Sequence, residues 1–207
     1  MEHIVELDSL RFPIFNYKRH PNFALTPANL FALAFGLYMI TAPMMSWIDY
    51  NSPSIATALC FAGICEYLIG FYNWYDGRAL QSFMDFIFGL LFLTMYYTTD
   101  LGKYSIDIPF PYYTYMQGTF YILWVVMFLA LLIAMSQRGI MYFINTILLA
   151  LGFIFLLVWN YAQRTWCGKA AGYILFIAAC FIFITGFCHL INGILRRPAA
   201  SFVHPYP

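Results

Sequence analysis

Two acids and a histidine sit inside segments that are otherwise too apolar to hold them. Glu66 and Asp85 lie in the stretch FAGICEYLIGFYNWYDGRALQSFMDFIFGLLFLT, residues 61–94, and His189 lies in TGFCHLINGILRRP near the end of the chain. Glu66 and Asn73 are seven residues apart, and His189 and Asn192 stand at i and i+3, so each pair shares one helix face. An acid in lipid costs about 2.5–3.5 kcal/mol on insertion scales, so such residues face a protein interior or a wet cavity. A carboxylate and an imidazole brought together could exchange a proton. At about 1.5 Å of rise per residue, Glu66 lies about 13 Å and His189 about 9 Å inside the same membrane face, so the two can meet if their helices are neighbours. In the blander reading each bonds separately to backbone or to Asn73 and Asn192. Asp85 also has two readings. The apolar run after it, residues 86–97, is too short to cross a bilayer alone, so Asp85 lies in or near the membrane. It either snorkels to the interface or works within the protein.

The elements that must position these groups are membrane helices. Of 207 residues, 63% are hydrophobic and 9% charged, against about 25% charged in an ordinary soluble domain. Six apolar runs are long enough to span, at residues 27–47, 54–75, 80–98, 112–135, 141–161 and 170–195. The expected fold is all-α, a polytopic six-transmembrane-helix bundle. Residues 1–26 read as a membrane-surface arm, 27–197 as the transmembrane domain and 198–207 as a tail. The arm has no long apolar core followed by a small-residue cleavage site, so no secretory signal is read. A net charge of +1 with no basic run gives no surface for nucleic acid.

Chemistry of other kinds finds no foothold. Cys60, Cys65, Cys167, Cys180 and Cys188 show no CxxC spacing and read as buried free thiols rather than disulfides or metal ligands. Cys188 and His189 are adjacent and point about 100° apart on a helix, a poor metal pair. No HExxH, nucleophile elbow or glycine-rich phosphate loop occurs, so no catalytic residue, metal or cofactor is assigned and the chain does not read as an enzyme.

Local signals refine the spans. Pro43 should end or kink the first helix before Trp47. Gly63, Gly70 and Gly77 recur every seven residues and leave one face of the second helix nearly smooth, suited to close packing or to substrate contact. Residues 99–111, with Asp100, Lys103, Asp107 and two prolines, read as a water-facing connection. Seven cationic residues (Arg11, Lys18, Arg19, Arg78, Arg138, Arg196, Arg197) fall on the face shared by both termini and three (Lys103, Arg164, Lys169) on the other. The positive-inside rule then puts both termini in the cytoplasm, or in the matrix for a mitochondrial inner membrane.

These residues together resemble the acetate uptake transporter family, the succinate-acetate permeases. Its opening signature, approximately NPAPLGLxGFG, is similar to TPANLFALAFG at residues 26–36. Its second signature, glycine-paired helices around a GNTF turn and a Ser-Tyr-Gly-x-Phe-Trp run, aligns with residues 61–94 without a gap, with Gly63, Gly70, Gly77, Gly89 and Thr94 in place. A third similarity joins Gly172 to His189 and Asn192, where the family tends to have Glu and Asn. The resemblance covers residues 26–195. It implies a six-helix protomer, usually in a hexameric ring, with a pore in each protomer for acetate and similar small monocarboxylates, carried with a proton. The implied apolar constriction matches Phe35, Phe88 and Leu149, with Ile182 replacing a small residue beside the pore. Departures are specific. Phe88 stands for Tyr, Glu66 and Asn73 stand for Gln and Glu, and the GNTF turn is Gly77, Arg78, Ala79 and Leu80.

Two functions follow. One is a transporter or channel for acetate and similar small monocarboxylates, embedded in the lipid bilayer, proton-coupled and homo-oligomeric. The alternative is a transport-inactive, family-derived structural subunit of a larger membrane complex, for which a mitochondrial membrane is one setting. Under it, the arm and the tail would bury surface on other subunits.

Overall fold

The computed structural model describes residues 25–48, 53–104, 110–136 and 139–195. It contains six helices: α1 (Leu25–Met44), α2 (Pro53–Tyr75), α3 (Ala79–Tyr104), α4 (Phe110–Ser136), α5 (Ile140–Ala162) and α6 (Thr165–Leu195). All six are long and apolar enough to cross a membrane. Residues 1–24 of the surface arm, the tail and Arg138 lie outside the described residues, and Leu25 and Thr26 belong to α1 rather than to the arm.

The helix ends show why the chain breaks where it does. α1 closes in a Schellman arrangement: Trp47 N–H donates to Ala42 O at 2.9 Å and Ser46 N–H to Pro43 O at 2.9 Å. Ser46 takes a left-handed φ of 62°, a conformation glycine usually supplies. The Trp47 ring then folds back on Tyr38 and Phe176, with centroids 6.5 and 5.2 Å away. α2 ends the same way, with Arg78 N–H on Asn73 O at 2.8 Å and Gly77 N–H on Trp74 O at 3.0 Å. Gly77 has φ 77°, and Arg78 Nε pairs with Asp76 Oδ2 at 2.8 Å across the turn. Two residues, 163 and 164, separate α5 from α6, and Gln163 caps α5 at φ 51° with its N–H on Trp159 O.

Two boundaries differ from the sequence reading. Asp100 and Lys103 belong to α3 rather than to a connection, because residues 79–108 contain no proline and Gly102 alone does not stop a helix. At 26 residues α3 is about 39 Å long, beyond the about 30 Å of hydrocarbon. α6 begins five residues earlier than expected. Gly168 lets it start against α5, since a Cβ there would stand 2.9 Å from the Trp159 ring.

α1 is the central helix. In its most apolar window 61% of residues are buried, against 33–39% in the other five. It packs on α2, α3 and α6, while α2 pairs with α3, α4 with α5 and α5 with α6. The backbones of α3 and α4 stand apart, and Phe88 and Phe128 bridge them with ring centroids 6.0 Å apart. Phe128 continues to Phe153 at 5.2 Å and to Trp124 at 5.6 Å, and the core is therefore an aromatic stack shared by α3, α4 and α5. Phe92, Phe128 and Phe153 have no exposed surface. Outward faces carry large apolar side chains, among them Phe61, Leu68, Leu123 and Ile133.

The glycine frame serves the α2–α3 contact. A Cβ on Gly89 would lie 3.1 Å from Gly63 O and 2.7 Å from the Tyr67 ring, and one on Gly63 would lie 3.2 Å from Gly89 O. Each glycine thus admits the backbone of the other helix. Gly89→Ala should cost about 1–3 kcal/mol through overpacking. Gly77→Ala meets nothing within 4 Å and should cost about 1–2 kcal/mol through its left-handed backbone alone. Thermal unfolding of detergent-solubilised variants checks both. Combining Gly89→Ala with Tyr67→Ala should recover little, since the Gly63 carbonyl remains in the way.

Candidate functional site

Most of the buried polar side chains among the described residues, Asn29, Asn73, Ser82, Asp85, Asn145, Thr146 and Asn192, gather at one end of the bundle, where α1, α3 and α5 begin and α2, α4 and α6 end. Asp85 lies on α3 with 1% of its surface exposed. Its Oδ1 accepts from Asn29 Nδ2 at 2.6 Å and from Gln81 Nε2 at 3.1 Å, and its Oδ2 from Asn73 Nδ2 at 2.6 Å. One carboxylate therefore joins three helices. Gln81 is placed by the i−4 spacing on the same helix face. Asn73 is brought in by the Gly77 turn, and Asn29 sits about one turn into α1. Ser82 Oγ adds a bond to Gly70 O at 2.9 Å, a second polar tie between α2 and α3. Asp85 is held within the protein and does not reach for the interface.

Glu66 is equally buried, with no exposed surface, yet neither carboxylate oxygen has a hydrogen-bond partner among the described residues. It lies about 13 Å from the Tyr75 end of α2, deeper than Asp85. His189 is elsewhere. Its Nε2 shares a 2.6 Å hydrogen bond with the Tyr142 hydroxyl, which ties α6 to α5. Asn192, 8% exposed, lies on the same helix face. Among the described residues α2 and α6 make no contact, while α1 touches both. The direct Glu66–His189 exchange considered from the sequence is thus corrected: both groups have the right depth, but α1 stands between their helices.

Of the four residues assigned to the constriction, Phe88, Leu149 and Ile182 belong to one buried cluster at 3%, 4% and 2% exposure. Phe88 and Leu149 are each nine residues from the start of their helices, about 13 Å deep, and Phe128 is about 12 Å from the end of α4. Phe35 stands apart, 43% exposed, while its neighbour Gly36 lies against the Phe92 ring. The described residues therefore form two layers, amides around a carboxylate near one end of the bundle and a buried apolar cluster, rich in aromatic rings, farther in.

Asn29, Gln81, Tyr142 and Phe128 were not among the residues singled out from the sequence. The first two carried a readable signal: Gln81 is one turn from Asp85, and Asn29 is the polar end of an otherwise apolar span. Asp85→Ala should destabilise the protein by about 3 kcal/mol or more, because it strands buried amide donors on three helices. Glu66→Met should leave stability unchanged or raise it, since the lost carboxylate has no bonds to give up. Melting curves of the two variants in one detergent decide this, and an unstable Glu66→Met would show that the carboxylate is bonded after all.

No protein-family model and no curated protein matches the sequence. A search of solved structures finds the bacterial acetate channel SatP, which superposes with a TM-score of 0.74 at 19% identity over 88% of this chain and 98% of that one. The likeness extends over the transmembrane region and establishes a shared six-helix fold.

Proposed function

We propose that this protein is a membrane channel or transporter for acetate and similar small monocarboxylates, with the path running through each protomer. The observation that carries the reading is the fold shared with an acetate channel over nearly its whole length. The two layers of the site support it. Amide N–H groups near one face suit a carboxylate stripped of part of its water. Phe88, Leu149 and Ile182, with Phe128, form an apolar gate that an anion passes only when the side chains part. Phe35, half-exposed on α1, enters this gate only if α1 rotates. Proton coupling would run through Glu66 and Asp85 on the facing helices α2 and α3, with His189 serving α5 and α6 separately. Outward apolar faces suit lipid and neighbouring protomers, in a ring such as the hexamer that the family resemblance implies. Both termini lie on the cytoplasmic or matrix side by the charge asymmetry.

A second reading keeps the fold and drops the traffic. The core is filled by Phe92, Phe128 and Phe153 without exposed surface, and two buried acids border the seam that an anion would use. Those features suit a structural subunit of a larger membrane complex. Uptake of labelled acetate into proteoliposomes, with and without an inward proton gradient, separates the two. The transporter reading expects uptake above protein-free vesicles, a further rise in Phe88→Ala, and loss of gradient stimulation in Glu66→Gln. Uptake no faster than in empty vesicles, for wild type and Phe88→Ala alike, would establish the structural reading.

A further inference from the structure

We propose that Asp85 is a tethered stand-in for the transported carboxylate, occupying a binding site that Asn29, Asn73 and Gln81 build for a free one. The inference rests on the transport reading and assigns its substrate site. Beyond its Cα, an aspartate side chain has the size, shape and charge of acetate. Here both oxygens are engaged by amide N–H donors from three helices, at 2.6, 2.6 and 3.1 Å, well within hydrogen-bonding distance. Asn29 and Asn73 are each 3% exposed, so the donors are sequestered from water as in a ligand pocket. Their charge is neutral. A lysine or arginine would hold a carboxylate permanently, whereas neutral amides can release one, as a transport site must. Gln81 lies one turn from Asp85 on the same helix, but Asn29 and Asn73 reach in from α1 and α2, so the pocket can outlive the loss of the side chain that fills it. The aromatic plug begins at Phe88, one turn deeper on α3, so a carboxylate replacing Asp85 would sit at the mouth of the gate.

In this arrangement the described conformation is the self-occupied state of the site. Free carboxylate competes with Asp85 for the same donors, and the Asp85 side chain must swing away before acetate can bind. Asp85 is then an intrinsic brake on loading, and its position sets the size of the acid accepted: acetate fills the space of the whole side chain, and formate the space beyond Cβ.

Chemical rescue tests the site. Full-length Asp85→Gly protein, purified in detergent, should melt below wild type, and acetate should raise its melting temperature saturably by about 5 °C or more. Wild type should not respond, because its site is filled. Formate should do the same for Asp85→Ala, which decides the matter if Asp85→Gly cannot be purified. Acetamide, neutral and of the same shape, should have no effect on either variant, and adding Asn73→Leu should abolish the acetate response. Rescue by acetamide equal to that by acetate would mean simple cavity filling and overturn the proposal. So would the absence of rescue in both variants, or a response undiminished by Asn73→Leu. Wild-type uptake in proteoliposomes reports on the transport reading separately: uptake without rescue removes this site and keeps the transporter, and rescue without uptake keeps a carboxylate site in a protein that does not transport.

Discussion

A buried carboxylate in a membrane protein has no water to lean on, and the α1–α3 half of this molecule is arranged around that constraint. Asp85 lies where desolvation would cost several kcal/mol if uncompensated, and amide donors on α1, α2 and α3 answer it. Each donor fixes a helix. The Asn73 bond requires the tight turn at Gly77, the turn aligns α2 against α3, and the alignment puts Gly63 opposite Gly89, where no side chain would fit. The Asn29 bond holds the start of α1 against the same seam and so positions the helix on which α6 also packs. The α4–α6 half is joined differently, through the aromatic stack of Phe88, Phe128 and Phe153 and through the Tyr142–His189 bond between α5 and α6. Polar contacts from three helices meet at Asp85 in one half, and in the other an aromatic stack is joined by a polar tie between α5 and α6.

Much of the fold was legible because a bilayer makes hydropathy decisive. Four of the six spans were placed within about three residues at each end, the exceptions being the end of α3 and the start of α6, and the turns at Gly77 and Pro43 announced themselves through residue types with fixed backbone preferences. The helix ends were legible too: α2 ends at Tyr75 and α6 at Leu195, the ends from which Glu66 and His189 were counted. What counting cannot supply is the order of helices around the bundle. Glu66 and His189 share a depth and a membrane face, yet α1 intervenes, and nothing in either residue's own segment says so. Phe35 fails to join the core for a related reason, because a helix wheel has no absolute orientation until its neighbours are known. Asn29 and Gln81 were within reach of the sequence. An acid inside a span demands donors, and the amides a turn away or at the polar tip of another span were the candidates to supply them.

The shared fold and the local chemistry bear on function in different ways. The six-helix frame is the skeleton that this chain shares with the acetate channel SatP. At 19% identity the skeleton persists while most of the side chains that meet a substrate are free to change. Two acids lie on the facing helices α2 and α3, one richly bonded and one with no partner among the described residues. Bonded charge ties helices together. A bare buried carboxylate adds nothing to stability and so points to a task other than packing, or to a seam no longer under the demands of transport.

The claim that the Asp85 network organises the α1–α3 half is tested most directly by a double-mutant cycle on Asn73 and Asp85, read as unfolding free energy in a single detergent. If the two side chains are joined as described, Asn73→Ala, Asp85→Ala and the double variant should reveal a coupling of about 1 kcal/mol or more. Effects that add to within about 0.5 kcal/mol would contradict it, and would mean that the helices are held by packing alone.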